Sequence, residues 1–449
     1  MPRQFVFRRW SASVLGIVVA STATVVAQPT LFPPGPPTAP SGRMGTGTEI
    51  TMIPYLISVP GSYYLSMTLT QAALGDKITI DASDVTIDLM GQALIGVGLP
   101  GDSAIEFGPG IYANVTIHDG FITDWGDTGL DLFAGGGGPV PNIHVYNVTS
   151  TGNAGDGISV GPQAIVRHVI CSSNTLAGLR ADRNVKITNA ICAENGAEGI
   201  FVGGNGHVSD SVVVLNGAAF GSAGMFLGFN SVVIGSVAAD NAADGYFLDA
   251  NCRATDCVAS FNGFVVGFGN GFFCIENDIL GGCAAYNNAD SGFFGLPMPA
   301  PGPGAPGGNS AHDCTAEFNG FATFTGDGFT EFRSVTQCTA QSNAENGIQC
   351  GFASHVVRNT CEANLVSGIV ATGDGNSIQQ NHVAYNGLFG IDTTFNPGPP
   401  GNLLLSNTGH LNFGGVDFFL AFGIDTWGPI FFGPGALPAG GAGFNISYP

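Results

Sequence analysis

Positive charge is what this 449-residue sequence has least of. Twelve Lys and Arg stand against 33 Asp and Glu, and charged residues of both signs make up only 10% of the chain. The formal net charge of −21 argues against nucleic acid and anionic membrane as partners, since both need a basic surface. Helical stretches are missing from the repeating part as well. With 70 glycines, the composition suits many short strands and tight turns. There is no CxxC pair among the ten cysteines, so a thiolate metal framework has no support. The eight histidines (118, 144, 168, 207, 312, 355, 382 and 410) are scattered along the chain. A copper-delivery surface would want His or Met grouped on one face.

The segment before Glu49 contains no acid at all. Residues 1–27 read as a secretory signal: Arg3, Arg8 and Arg9 supply the charged start, Val14 to Val26 the apolar centre, and Val25-Val26-Ala27 the cleavage site. Residues 28–48, with Pro33-Pro34-Gly35-Pro36-Pro37, read as an extended linker. The mature chain is then expected outside the cytoplasm, secreted, periplasmic or on the cell surface, with no membrane span.

What is present in abundance is repetition. Asn153, Asn174, Asn195 and Asn216 are spaced by 21 residues. The column continues through Asn241, Asn262, Asn288, Asn319, Asn343, Asn364, Asn386 and Asn412, and Trp125 takes the Asn place one repeat earlier. Four residues after most of these comes a Gly followed by an apolar residue, as in Gly157-Ile158, Gly178-Leu179 and Gly199-Ile200. A fixed period of about 21–22 residues means a solenoid. Leucine-rich repeats would need a Leu framework that is absent, and propeller blades need about twice the length. A parallel β-helix fits, with one side-chain column per position along the axis. Five residues before the Asn stand Val148, Val169, Ala190, Ser211, Ser236, Cys257, Cys283, Cys314 and Cys338, small enough for an interior stack. The asparagines should form an inward ladder, each amide bonding the next coil.

Two phrases carry a resemblance. Pro60-Gly61-Ser62-Tyr63-Tyr64-Leu65, followed by Ile80-Asp81-Ala82-Ser83-Asp84-Val85-Thr86-Ile87-Asp88-Leu89-Met90-Gly91, resembles the opening of exported bacterial right-handed parallel β-helix repeat proteins of the pectin-lyase-like superfamily. The resemblance covers roughly residues 50–412. It implies an all-β, right-handed parallel β-helix, here of about 13 coils over residues 49–413, with residues 414–449 as an aromatic cap or tail. It does not select among the lyases, hydrolases, adhesins and copper-delivery proteins that share the superfold.

Cys257, Cys283, Cys314 and Cys338 occupy one column on successive coils, as do Cys171 and Cys192. Stacked side chains about 4.8 Å apart pointing one way do not reach disulfide geometry, so these read as small buried hydrophobes. Cys252 is the least regular of the ten and is expected to be the most exposed.

The position after the Gly-apolar pair should face outward. Down the solenoid it reads Asp131, Ser159, Arg180, Phe201, Phe226, Phe247, Phe273, Phe294, Thr330, Gln349, Val370 and Asp392. The run Phe201, Phe226, Phe247, Phe273 and Phe294 predicts an aromatic stripe about 20 Å long. It would be a platform for sugar rings or a docking surface, unless the chain's own insertions, carrying Phe220, Phe264, Phe268, Phe321 and Phe324, lie over it. Arg180, Arg183 and Lys186 cluster among very few basic residues, with Asp156 and Glu198 at equivalent positions on the flanking coils. A polysaccharide lyase needs a base beside a uronate carboxylate and positive charge, often Ca²⁺, to stabilise the enolate; this group is the catalytic candidate. Asp156 and Glu198 as paired glycosidase carboxyls sit about 10 Å apart, just beyond the expected range. Turn acids preceding the coil glycines, with loop acids such as Asp249, Glu276 and Glu331, are the residue type that calcium would take.

These observations make polysaccharide engagement on the lateral face of the central coils the leading expectation, with a lyase ahead of a hydrolase if it is catalytic. The alternative is a non-catalytic structural or adhesive protein that docks a surface protein through the Phe stripe.

Overall fold

The structure is a computed structural model describing residues 47–133, 142–219, 221–263, 267–296, 308–320, 325–394, 401–413, 416–420, 425–427, 430–432 and 445–448. The expected signal, most of the linker, and Phe220, Phe264, Phe321 and Phe324 lie outside the described residues.

Short strands follow from short apolar alternations punctuated by left-handed corners. In one coil, Ile158–Val160 is followed by Ile165–Arg167 and Ile170–Ser172. The next coil repeats this as Leu179–Arg183, Lys186–Thr188 and Ile191–Ala193. Positive φ at His168 and Ser173, then at Asn189 and Glu194, turns the chain at the same points in each coil. All pairings are parallel and in register: Ile158 faces Leu179, Val166 faces Ile187, and Cys171 faces Cys192.

One strand per coil builds a 16-stranded sheet, and the other two build a 32-stranded sheet. The result is an all-β parallel β-helix; crossovers between parallel strands are right-handed as a rule. Thirteen strands of the 16-stranded sheet follow Trp125, where about 13 coils were expected for the whole of residues 49–413. The 16-stranded sheet has three further strands upstream, Tyr55–Ile57, Ile78–Ile80 and Ile105–Phe107, on coils that carry no Asn at the ladder position. The aromatic tail does not leave the sheets at once: Val416–Phe419 pairs with Phe389–Asp392, and Asn445–Tyr448 pairs with Thr408–His410.

The asparagine ladder is continuous from Asn153 to Asn412. At each step the Oδ1 of one Asn accepts from both the backbone N and the Nδ2 of the Asn one coil before, at 3.1 and 2.9 Å for the first rung and 3.0 and 2.9 Å for the last. Trp125 donates its backbone N to Asn153 Oδ1 at 3.1 Å, so it holds the rung position the spacing assigned to it. The glycine column has a steric cause. A Cβ at Gly178 would lie 2.6 Å from Asn195 Nδ2 and 2.8 Å from the carbonyl of Gly199, so the ladder itself demands glycine beside it.

The predicted interior columns are buried, and all ten cysteines are buried free thiols. Cys252 corrects the expectation of exposure. It lies at 1% exposure in a further inward column, where its backbone N donates to Asp278 and its thiol faces the carbonyls of Leu227 and Gly228.

Candidate functional site

The outward positions of the 16-stranded sheet form one continuous column. Register pairs link Ser159 to Arg180, Arg180 to Phe201, Phe201 to Phe226, Phe226 to Phe247, Phe247 to Phe273, Phe273 to Phe294 and Phe294 to Thr330, then Gln349, Val370 and Asp392.

The five phenylalanines are half-buried and stack on one another. Successive centroids lie 4.9, 5.0, 5.0 and 5.4 Å apart, with interplanar angles from 10° to 23°. This changes what the stripe offers. Parallel stacking along the axis occupies the ring faces with other rings. Arg180 closes one end of the stack, its guanidinium carbon 4.9 Å from the Phe201 centroid. The outward surface is therefore a rail of ring edges, not a platform of faces. Ring edges carry the positive end of the aromatic quadrupole and favour acceptor oxygens. Of the insertion aromatics proposed as a cover, Phe268 is described and points into solvent, 65% exposed.

A second aromatic stack, unforeseen in the sequence reading, runs directly behind the first. Tyr246, Phe272, Phe293 and Phe329 are fully buried and stack at 4.7, 4.9 and 4.7 Å, with Phe332 edge-on to the last. The signal was available, because these residues fill the inward apolar position right after the coil glycine.

The predicted catalytic group divides. Asp156 is buried and works between coils: its Oδ1 accepts from the backbone N of Ala177 at 2.8 Å, and its Oδ2 accepts from Arg180 Nε at 2.7 Å. Arg180 is thus held by a carboxylate on one coil and a ring on the next. Arg183 lies at 3.9 Å from Asp182, a loose and largely exposed pair. Lys186 is exposed and begins a strand of the other sheet, around the corner from Arg180. Glu198 is half-buried on the coil beyond Arg180. The arrangement joins Asp156 to Arg180 and leaves Lys186 on a different sheet.

Two more acids before coil glycines share the Asp156 role. Asp244 Oδ1 accepts from the backbone N of Asn270 at 2.7 Å, and Asp327 Oδ1 from the backbone N of Asn346 at 2.9 Å. Each carboxylate thereby caps an N–H of the following coil. Burial is costly to their charge: desolvation lifts Asp244 to about 6 and Asp327 to about 7.

Beyond the rail, toward the C-terminal end, the column opens into a pocket of about 170 Å³ lined by Glu345, Gln349, Val370, Thr372, Phe389 and Asp392 among others. Asp327 is fully buried beside it, bonded to Asn346, a lining residue, and to Thr330 Oγ1 at 3.0 Å. Asp392 is also buried, accepting from the backbone N and Oγ1 of Thr394 at 2.9 and 2.7 Å. Desolvation likewise raises Glu331. Carboxyl groups with raised affinity for protons beside a concave surface are the kind of group used in proton transfer. The sequence reading placed its catalytic candidates at the other end of this face.

No protein-family model matches the sequence, and no curated protein matches it. Among solved structures, the A-module of Azotobacter vinelandii mannuronan C-5 epimerase AlgE6 is 12% identical, covering 87% of this chain and 91% of that one, with a TM-score of 0.40. The tailspike protein of E. coli bacteriophage HK620, solved in complex with a hexasaccharide, is 11% identical over 87% of this chain and 71% of that one, with a TM-score of 0.38. Pectate lyase Pel9A is 14% identical over 73% and 70%, with a TM-score of 0.29.

Proposed function

We propose that the lateral face of the 16-stranded sheet binds a polysaccharide chain along the helix axis. The observation that supports this most is the continuity of the outward column. Ten residues from Arg180 to Asp392 stand in unbroken strand register, a run of about 43 Å. The column begins at a fixed guanidinium, continues along half-buried ring edges and ends at a carboxylate-lined pocket. A linear polymer is the ligand whose repeat matches such a strip. The ring-edge rail would meet sugar hydroxyl oxygens, Arg180 a carboxylate substituent, and the pocket one sugar residue. Where the strip is catalytic, two ends compete: Arg180 with Asp156 and Glu198, and the pocket acids Glu345 and Asp392 with Asp327. Export of the chain to meet such a polymer is part of the same proposal. Among the described residues no helix is long and apolar enough to cross a membrane.

The test is incubation of the purified chain with uronate-containing and neutral polysaccharides, with and without Ca²⁺, following unsaturated product by ultraviolet absorbance and cleavage by reducing ends. Unsaturated product lost in Arg180→Ala assigns a lyase at the Arg180 end. Reducing ends without absorbance, lost in Glu345→Gln, assign hydrolysis at the pocket. Retention on immobilised polysaccharide without either product assigns binding alone. Absence of both retention and product across the panel would sink the reading in favour of a protein-docking surface.

A further inference from the structure

Near the N-terminal end the long strand Val115–Thr123 bends at Asp119, whose φ is +59°. His118, just before the bend, is in register with Asp88 on the preceding coil and Tyr146 on the next. Its imidazole lies flat on the Tyr146 ring, centroids 4.7 Å apart and planes within 3°. Arg167 covers the same tyrosine, its guanidinium carbon 4.8 Å from the ring centroid. The histidine is 9% exposed, and its Nδ1 is removed from bulk water.

The buried Nδ1 of His118 has no hydrogen-bond partner. It is nevertheless flanked by two carboxylate oxygens, Asp119 Oδ2 at 3.2 Å and Asp88 Oδ1 at 3.6 Å. The three ligand-type atoms lie within 4.8 Å of one another. A buried ring nitrogen without a well-directed hydrogen bond is unfavourable. Two carboxylates close to this nitrogen but not in hydrogen-bond geometry with it are better matched to a shared centre than to a direct hydrogen bond.

We propose that Asp88, His118 and Asp119 form a binding site for a divalent first-row transition ion of the zinc type. One imidazole nitrogen and two carboxylate oxygens are the mixed donor set that such ions accept, whereas Ca²⁺ and Mg²⁺ prefer oxygen alone. Metal–ligand bonds of about 2.0–2.2 Å in a tetrahedron place donor atoms about 3.3–3.5 Å apart. The observed separations from Nδ1 bracket that value. The acids are already oriented: Asp119 Oδ1 accepts from Asn147 Nδ2, and Asp88 Oδ1 from the backbone N of Met90, both at 2.8 Å. Three protein donors leave one position for solvent. The ion would tie the Asp88 coil to the next one, in the part of the helix upstream of the first asparagine rung at Asn153.

The experiment is calorimetric titration of Zn²⁺ into the full chain after chelator treatment, with thermal unfolding followed in parallel and Co²⁺ used as a visible probe. One saturable site per chain is expected. Unfolding temperature should rise with Zn²⁺, and Co²⁺ should give the intense visible bands of a four-coordinate site. His118→Gln and Asp119→Asn should each weaken binding at least about tenfold, while His144→Gln, at an exposed histidine, leaves it unchanged. Circular dichroism identifies any variant that misfolds, and Asp88→Asn then replaces it. No saturable uptake by the folded chain overturns the proposal, as does uptake unaltered by His118→Gln and Asp119→Asn.

Discussion

Asp278 shows how a single side chain can match its column in all but one atom. It stands with Asn309, Asn376 and Asn402 in an inward column of rungs. Its Oδ1 accepts from Cys252 N at 2.7 Å, and its own N donates to Asn309 Oδ1 at 2.9 Å. Oδ2, the atom that would be Nδ2 in asparagine, is buried without a partner. Desolvation raises Asp278 from 3.8 to about 8. Burial therefore favours the protonated carboxyl at neutral pH, the form that carries no charge to desolvate. The native state binds more protons here than the unfolded chain between about pH 4 and 8, so stability declines as pH rises through that window. Asp278→Asn removes this term. The variant should lose less stability than the parent between pH 5 and pH 8 in parallel urea titrations. An identical decline in both would show that Asp278 is ionised in the fold.

At the scale of the element, three successive strands of the 16-stranded sheet, Tyr246–Leu248, Phe272–Cys274 and Phe293–Gly295, carry an aromatic on both faces, and the two faces should respond differently to truncation. Phe272 is enclosed, so Phe272→Ala should cost about 3–5 kcal/mol. Phe247 touches two stacked neighbours at a half-buried surface, so Phe247→Ala should cost about 1–2 kcal/mol. Chemical denaturation of both variants checks the order; equal losses would mean that the outer rings are as enclosed as the inner ones. The same strands explain what was legible beforehand. Asn153 and its successors could be found because a buried amide must be answered by an identical amide one coil away, and that demand repeats at fixed spacing. The outer phenylalanines were found by parity. Their stacking was not, because alternation says which way a residue points and nothing about how rings on neighbouring strands turn. The column holding Asp278 and Asn309 escaped notice because Cys252, Ser231 and Gly206 fill it on earlier coils, and only register reveals them as equivalents. The pocket was illegible for a similar reason: Glu345, Val370 and Asp392 come from three coils and share no sequence phrase.

For the molecule as a whole, each coil contacts its neighbours alone, so enclosure is achieved locally and repeated. Its ten thiols are all inside, and burial lifts Cys252 and Cys350 to about 12. A folded chain should therefore leave an aromatic disulfide reagent unreacted at neutral pH, and guanidinium should release ten thiols. Any thiol reacting within the folded chain would mark a coil that opens. The unbroken ladder has a further consequence. Because each rung between Asn153 and Asn412 is answered by an identical rung, the lattice has a natural period but does not itself set the number of coils. Gaining or losing one complete coil would restore every amide contact, whereas a single inserted residue would displace all of them at that level. Reach along the axis is thus a quantity that whole-unit duplication can alter in steps of one strand spacing, without any change in the chemistry of an individual coil.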